Sequence, residues 1–375
     1  MKVANLGTYL PKQCGIATFS NDLRCSLLVN NVDVDIIAIS DHSYQYDYAD
    51  EVIFNIRQNQ AEDYVQAADT INKMEDIKAL IIQHEYGIFG GNSGNYVLDF
   101  VNKLNKPFIV ITHTVLAHPL PEQKAVLNQL CSKAAKVVAM TLNAKELLAD
   151  VYAVKADIIK IIGHGVPYFA PLSSLELKAK YGFTDNEIIS TFGLIGPGKG
   201  LELGIRAMAE LVKFYPNAKF LILGQTHPML KKAEGEKYRE MLVRLSAELG
   251  LERNVIFVNK FLSDEELGEY LYLTDVYLSP YPNLDQAVSG TLTFAIGCGR
   301  AIVSTAYLYA KEVLQDERGL LAHEAKPELL AQLINSILAD DELKNRLEAN
   351  ALSLGETWSW PNIGSKYANL LTNIC

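Results

Sequence analysis

The sequence has 375 residues, more than a single hydrophobic core normally fills, so we expect two domains. Hydrophobic residues make up 49% and charged residues 21% of the chain, and 44 acidic against 34 basic side chains leave a net charge of −10. This acidic balance disfavours nucleic acid as a partner, and no apolar run is long enough to cross a membrane.

The cysteines and the N-terminus indicate the compartment. Five cysteines stand without C-x-x-C spacing, which predicts reduced thiols rather than a disulfide framework. The first apolar run is interrupted by Asn5, Gly7 and Pro11, so it predicts a strand and not a signal peptide. We therefore expect a cytoplasmic protein. Basic and apolar residues mix in some N-terminal helices, which leaves peripheral membrane contact open.

In chain order, strand-like and helix-like segments alternate, and this pattern predicts βαβ units around parallel sheets. In the first half the predicted strands are 2–6, 35–40, 52–55, 79–83, 107–112, 137–140 and 158–162, with helices at 18–29, 61–73 and 143–152. Residues 167–185 contain two prolines and a short helix at 175–181, and they predict the joint between two halves.

The second half repeats the alternation. Its predicted strands are 188–192, 219–223, 255–258, 276–279 and 301–304, with helices at 201–214, 235–249 and 263–273. An apolar helix follows the loop after residue 279, the chain after Glu312 is predicted to be mostly helical, and a last helix covers 363–372. Two similar α/β halves are the expected architecture.

Residues 276–305 organise the second half, because they read as strand, polar loop, helix and strand. The loop after a strand of an open parallel sheet faces the ligand crevice, and the following helix offers unpaired amides with a partial positive charge. Asp285 and Gln286 suit hydrogen bonds to vicinal hydroxyls, although an ordinary polar surface loop is the alternative for each. This pattern favours an anionic ligand that carries hydroxyls.

The glycine-rich loop Phe192 to Gly200, FGLIGPGKG, is the sharpest local motif. Glycines after a strand let backbone amides approach a phosphate, and Lys199 adds a full charge. A P-loop would need Ser or Thr where Gly200 stands, and the glycine spacing does not fit the dinucleotide pattern either. A plain glycine turn is the remaining alternative.

Two histidines follow buried strands. His113 is suited to exchange a hydrogen bond with a substrate hydroxyl, and His84 with Glu85 makes a weaker case; a structural histidine is the alternative for both. Helical metal-site spacing is absent, so no metal is predicted. Asp33 and Asp35 are interpreted as solvated turn residues before the second strand rather than as metal ligands.

Taken together, the loop after the first strand, ITHT around His113, HGVP at His164, FGLIGPGKG, LGQTHP and the stretch 276–305 resemble retaining glycosyltransferases of the GT-B fold, family four (group 1 transferases). The resemblance implies two Rossmann-like domains facing a central cleft. Residues 1–168 would bind the acceptor and 169–357 the nucleotide sugar, and a C-terminal helix within 358–375 would return to the first domain.

The resemblance also implies roles for individual residues, without a metal or any cofactor besides the donor substrate. Catalytic roles fall on His113, Lys199 and Asp285. Donor contacts fall on Gly15, Gly198, Lys199, Asn259, Lys260, Phe261, Asp285, Gln286, Ser289, Gly290 and Thr291. Acceptor contacts fall on His84, Glu85 and Tyr86.

Two departures from the family pattern matter. The arginine five positions before the lysine is Leu194, and the glutamates eight apart fall on Gln286 and Phe294. The function implied is transfer of a hexose, with mannose from a guanosine donor slightly preferred, to a carbohydrate or glycolipid acceptor. A nucleotide-sugar epimerase and a non-catalytic sugar-nucleotide-binding partner subunit remain alternatives, and a phosphorylase is disfavoured because no pyridoxal-lysine motif is recognisable.

Overall fold

The computed structural model describes residues 1–41 and 46–375, which form two compact units. Unit 1 consists of Met1–Gly165 and Trp358–Cys375, and unit 2 consists of Val166–Thr357. Each unit contains one parallel sheet with helices in its connections, as the alternation of segments predicts.

The described residues of unit 1 form seven strands and five helices before the chain enters unit 2. The strands are β1 (Lys2–Gly7), β2 (Asp33–Ser40), β3 (Val52–Arg57), β4 (Ile77–His84), β5 (Phe108–Thr112), β6 (Lys136–Ala139) and β7 (Ile159–Ile161), and the helices are α1 (Gly15–Val29), α2 (Ala61–Lys73), α3 (Tyr96–Lys103), α4 (Pro121–Lys133) and α5 (Leu142–Asp150). A short 3₁₀ turn, Asn92–Gly94, precedes α3. Helices α3 and α4 were not predicted from the sequence.

The sheet of unit 1 has the order β3-β2-β1-β4-β5-β6-β7, and all of its neighbouring strands are parallel. Its central strands are buried on both faces, which is why β4 and β5 read as almost uninterrupted apolar runs. The strand order reverses between β1 and β4. This switch point places the loops after β1 and β4 beside each other at the carboxyl edge of the sheet.

Unit 2 contains six strands and nine helices in its described residues, which run without a gap. The strands are β8 (Ile188–Phe192), β9 (Lys219–Leu223), β10 (Val255–Val258), β11 (Val276–Ser279), β12 (Ala301–Thr305) and β13 (Leu320–Ala322), and the helices are α6 (Ser174–Tyr181), α7 (Leu201–Leu211), α8 (Pro228–Glu234), α9 (Lys237–Glu248), α10 (Asp264–Leu273), α11 (Gly290–Gly297), α12 (Leu308–Val313), α13 (Pro327–Leu338) and α14 (Asp341–Thr357). Their sheet has the order β10-β9-β8-β11-β12-β13 and is parallel throughout.

The reversal of strand order in unit 2 lies between β8 and β11. The glycine-rich loop therefore leaves the sheet next to the polar loop of residues 280–289. Two segments that are about eighty residues apart in sequence become neighbours for this topological reason.

The last helix, α15 (Trp360–Thr372), belongs to unit 1. It packs on α1, where the Ser26 hydroxyl donates to the carbonyl of Trp360. A Cβ atom on Gly364 would overlap Ser26, so a glycine at this position lets the two helices approach closely.

Several predicted boundaries are wrong in detail. Helix α1 begins at Gly15, not at residue 18, because the Cys14 thiol accepts the amide of Ala17 and caps the helix. The helix predicted at 235–249 is α9, which is shorter, and the sequence did not predict α8, which precedes it and ends where Gly235 adopts φ 69°. The region after Glu312 contains strand β13, and α15 starts at Trp360, before residue 363.

The interpretation of Asp33 and Asp35 as turn residues is also wrong, since both lie within β2. They occupy its amino-terminal end, where Asp35 forms an ion pair with Lys2 at 2.7 Å and Asp33 is exposed. The amino end of a parallel sheet is opposite the ligand edge, so these carboxylates do not reach the switch point.

Among the described residues, no helix has the length and apolar character needed to traverse a bilayer.

Candidate functional site

In unit 2 the candidate site is the carboxyl edge of the sheet at its switch point. The loop after β8 ends in a 3₁₀ turn, Pro197–Lys199, which brings the Lys199 side chain back towards the loop after β11. The Lys199 ammonium donates a hydrogen bond of 2.6 Å to the hydroxyl of Tyr281 and lies 4.9 Å from the centre of its ring.

A group of hydroxyls surrounds this contact. Ser289 caps α11 by accepting the amide of Leu292, and the Ser289 hydroxyl also lies 3.4 Å from the Tyr281 hydroxyl. The hydroxyl of Thr291 is 3.3 Å from that of Tyr281 and 3.2 Å from that of Ser289. The start of α11 thus presents hydroxyls, backbone amides and one ammonium at the same place, which is a donor set that suits an anion.

The local electrostatics reflect the lysine. Burial by itself raises the pKa of Tyr281, but the charge of Lys199 and the hydrogen bonds from Lys199, Ser289 and Thr291 outweigh it. The net result is a pKa of Tyr281 below its ordinary value. The Lys199 ammonium therefore strongly stabilises negative charge on the phenol oxygen of Tyr281.

The polar loop itself is only partly directed towards this cluster. Asp285 is exposed, and its backbone amide donates to the side chain of Asn283. The Gln286 amide nitrogen donates to the carbonyl of Val288 within the same loop at 2.8 Å, which leaves its amide oxygen as the group for a ligand. The roles of both residues in binding a donor stay predictions.

The other expected donor contacts lie farther away or are open to solvent. Gly198 is exposed with nothing within 4 Å of its Cβ position, and Gly15 of unit 1 is likewise exposed and opens α1. The segment of Asn259, Lys260 and Phe261 follows β10, an edge strand that β9 separates from β8, and Lys260 is ion-paired with Glu266. These placements neither assign nor remove a binding role.

In unit 1 the predicted His113 is held by a chain of side chains. Its Nε2 is 2.8 Å from Oε1 of Gln83, and Nε2 of Gln83 donates to Oδ1 of Asn5 at 2.8 Å. Because the Gln83 amide nitrogen is used towards Asn5, its oxygen faces His113 and accepts from Nε2–H. The imidazole Nδ1 is then left with a lone pair.

Burial keeps His113 neutral. Removal from water, with smaller contributions from His164 and His84, lowers the pKa of His113 to about 3. The ring packs edge-on against Phe19 at 4.8 Å between centroids. At neutral pH the residue is therefore a neutral hydrogen-bonding group of fixed orientation.

Of the predicted acceptor residues, His84 and Tyr86 are buried and Glu85 is half-buried. His84 is 1% exposed, neither of its ring nitrogens has a hydrogen-bond partner among the described residues, and burial lowers its pKa to about 4. Tyr86 packs edge-on against His84, and its hydroxyl lies 3.2 Å from that of Tyr152. Glu85 accepts the amide of Gly87 through one carboxylate oxygen. Contact of these residues with an acceptor stays a prediction.

Sequence reasoning missed three residues of these arrangements, Tyr281, Gln83 and Asn5. A tyrosine after the strand VYLS gave a weak signal, because aromatic residues near strand ends usually belong to the core. Gln83 and Asn5 are polar residues inside otherwise apolar strands and are 0% and 1% exposed. Buried polar residues at such positions need partners, and this was the available clue.

The two positions that depart from the family pattern, 194 and 294, have the following neighbours. Phe294 lies on α11 and packs against Phe192 and Phe169, with ring centroids 5.8 Å and 6.2 Å apart. Leu194 leaves Lys199 as the single basic residue of the loop 193–200. Among the described residues, no cluster of three or more His, Cys, Asp or Glu side chains is arranged to hold a metal ion.

Comparison with known proteins shows similarity to glycosyltransferases. Residues 173–353 match the family described as "Glycosyl transferases group 1". The chain is 24% identical over 275 residues to the GDP-mannose-dependent alpha-(1-6)-phosphatidylinositol monomannoside mannosyltransferase of Mycolicibacterium smegmatis, covering 69% of this chain and 68% of that protein. It is 25% identical over 268 residues to the D-inositol 3-phosphate glycosyltransferase of Corynebacterium efficiens, covering 67% of this chain and 60% of that protein.

The architecture is similar to that of solved glycosyltransferase structures. HepE of Anabaena, whose crystal structure was determined in complex with UDP and glucose, aligns with 16% identity and a TM-score of 0.78 over 100% of both chains. At this identity the similarity concerns the fold alone. The prediction of a GT-B fold built from two Rossmann-like domains is confirmed.

Proposed function

We propose that this chain transfers a hexose from a nucleotide diphosphate sugar to a carbohydrate or glycolipid acceptor, with retained anomeric configuration and without a metal, and the match of residues 173–353 to the glycosyl transferases group 1 family supports this. The observation that carries the proposal is the cluster at the switch point of unit 2. There the Lys199 ammonium and the hydroxyls of Ser289 and Thr291 lie together at the start of α11.

The chemistry needs charge stabilisation more than a protein base. When the bond between the anomeric carbon and the diphosphate breaks, negative charge grows on the departing phosphate oxygen. An ammonium and helix amides that are already in place stabilise that charge without reorganisation. The acceptor hydroxyl attacks on the face from which the diphosphate leaves, and the departing phosphate oxygen takes its proton.

His113 of unit 1 is suited to a different task. A neutral imidazole with a free Nδ1 lone pair accepts a hydrogen bond from a sugar hydroxyl and carries no charge that would oppose an oxocarbenium-like transition state. The fixed contact with Gln83 at 2.8 Å keeps the ring in one orientation. We assign His113 to orient the transferred sugar rather than to ionise.

For the donor, our preference is GDP-mannose over UDP-glucose. The similarity to a GDP-mannose-dependent mannosyltransferase supports mannose and GDP, while the complex of HepE with UDP and glucose supports the other pair. We place the reaction in the cytoplasm, with peripheral contact to a membrane when the acceptor is a glycolipid.

A second candidate function rests on Leu194 and Phe294. A chain that has lost a cationic and an acidic residue of the family pattern fits a sugar-nucleotide-binding partner subunit without catalysis. Calorimetric titration with GDP, UDP and their hexose conjugates, followed by product analysis, separates the two. Binding without transfer and without slow donor hydrolysis would favour the subunit.

The decisive variant is Lys199→Ala. We expect transfer or donor hydrolysis to fall at least about a hundredfold, because loss of one positioned donor to developing charge typically costs about 2.7–4 kcal/mol. Lys213→Ala is the matched control, since Lys213 forms an exposed pair with Glu210 in the same unit. Full activity of Lys199→Ala would remove the diphosphate assignment.

A further inference from the structure

Tyr281 is a buried phenol whose hydroxyl meets the charged end of Lys199. The residue follows β11 and is 8% exposed, and its ring packs edge-on against Tyr307 at 5.1 Å between centroids. Its backbone is fixed as well, because the Thr305 hydroxyl donates to the Tyr281 carbonyl at 2.6 Å. The phenol oxygen therefore occupies a defined position in unit 2.

Whether the charge of a lysine is compensated depends on the group that its ammonium contacts. Lys178 and Lys344 both contact the carboxylate of Asp275, at 2.6 Å and 2.8 Å, which compensates their charges. Within the part of the chain that the structure describes, Lys199 forms no ion pair, and its partner is the Tyr281 hydroxyl. A phenol accepts one N–H of the ammonium and leaves the charge uncompensated.

The Lys199 ammonium also lies close to the backbone of the glycine loop and to the start of α11. A Cβ atom on Gly193 would lie 3.1 Å from the Lys199 nitrogen and 3.2 Å from a methyl group of Thr291, and Gly193 adopts φ 124°. The absence of a side chain at Gly193 thus lets the ammonium and the start of α11 both lie close to the backbone of the loop.

We propose that Tyr281 is the positioning residue of Lys199, and that its hydroxyl fixes the uncompensated ammonium beside the start of α11 so that the free N–H groups meet the diphosphate of the donor. The inference rests on the proposed function and deepens it. Because position 194 is leucine, Lys199 is the single cation of the loop 193–200. Anion binding by this loop therefore depends more strongly on where the Lys199 ammonium is held. The lowered pKa of Tyr281 agrees with an acceptor that is polarised by the lysine.

The test is the binding of GDP and UDP by calorimetry to the full chain. We expect Tyr281→Phe to raise the dissociation constant about tenfold, because the ammonium loses a charge-assisted hydrogen bond and its fixed position. Tyr309→Phe is the matched control, since Tyr309 is also buried and its hydroxyl lies 2.6 Å from that of Thr293 on α11. The control should bind as the wild type does.

A double-mutant cycle separates positioning from a merely structural role. In a Lys199→Met background, Tyr281→Phe should leave the dissociation constant unchanged. An equal loss in both backgrounds would overturn the inference, as would unchanged binding by Tyr281→Phe. If Tyr281→Phe fails to fold, Thr291→Val can be used instead, because it removes one hydrogen-bond partner of the Tyr281 hydroxyl. We expect Thr291→Val to raise the dissociation constant about threefold, and only when Lys199 is present.

The outcomes also separate this inference from the proposed function. A wild type that binds neither GDP nor UDP refutes the donor site and with it the inference. A wild type that binds one of them, together with a Tyr281→Phe variant that binds equally well, refutes the role of Tyr281 alone.

Discussion

Replacing Gln83 by glutamate should turn His113 from a permanently neutral group into one that titrates near neutrality. The Gln83 amide oxygen faces Nε2 of His113 at 2.8 Å, and the side chain is completely buried. A carboxylate at the same place would favour the imidazolium. The Asn5 amide nitrogen has no hydrogen-bond partner among the described residues, so a rotated Asn5 can donate to the second carboxylate oxygen.

The size of the effect follows from the separation of the charges. Unit charges about 4 Å apart interact by about 4 kcal/mol at an effective dielectric constant of about 20, which corresponds to about three pKa units. In the wild type, burial together with His164 and His84 lowers the pKa of His113 to about 3. The variant should therefore show a His113 pKa of about 6.

The assay is an NMR titration of the histidine ring signals between pH 4 and pH 8, with the His113 signal assigned from the His113→Ala spectrum. The wild-type signal should stay constant above about pH 5, because a group with a pKa near 3 is already neutral there. In Gln83→Glu it should move with a midpoint near 6, and transfer activity should fall as the pH drops through the same range.

Gln83→Met is the control, since it removes the hydrogen bond without adding charge. A His113 midpoint in Gln83→Glu that equals the wild-type value would refute the reasoning. The same would hold for a rise of equal size in Gln83→Met.

Three further predictions concern turnover and stability. His113→Ala should lower turnover far more than the melting temperature; a large drop in melting temperature with normal specific activity would mark the residue as structural. Asp275→Ala should destabilise unit 2 by about 3–5 kcal/mol in denaturant unfolding, because Lys178 and Lys344 lose their buried counter-charge. The control Glu324→Ala, which removes an exposed pair with Lys326, should leave the free energy of unfolding nearly unchanged. Burial opposes ionisation of Asp275, but Lys344 and Lys178 lower its pKa overall. The stabilisation by Asp275 is therefore complete above the ordinary aspartate pKa of about 3.9 and is lost as the pH falls through the lower pKa of the folded state. Unfolding midpoints of Asp275→Ala and wild type that differ equally at pH 6 and pH 2 would contradict this prediction. Gly200→Ala should lower the free energy of unfolding by more than about 2 kcal/mol in the same assay, because Gly200 has φ 63° and its Cβ would lie 2.1 Å from the Pro280 carbonyl oxygen. The control Gly198→Ala should be close to neutral, since no atom lies within 4 Å of that Cβ position.

Much of the fold was readable from local patterns. The strands Ile188–Phe192, Lys219–Leu223 and Val255–Val258 match their predicted bounds, because a short apolar run between polar turns specifies a strand of a parallel sheet. Helix α2 matches as well, at Ala61–Lys73. Helix ends were predicted less well, since caps such as the Cys14 thiol depend on a single local contact that composition does not reveal.

The candidate site was readable only in part. Lys199 and Ser289 were predicted, because glycine-rich loops and helix starts have local signatures that bind anions. The contact of Lys199 with Tyr281 was not, since it joins loops about eighty residues apart. The same holds for the contacts among Asn5 of β1, Gln83 of β4 and His113, which directly follows β5.

The sequence by itself determined the alternation of strands and helices, the division into two α/β halves and the residue types that suit an anionic, hydroxylated ligand. Only the tertiary structure decided which of these residues meet. The physical reason is the strand order of each sheet, which reverses between β1 and β4 and between β8 and β11. Neighbours across those reversals are set by long-range packing of the sheets, and no local pattern encodes them.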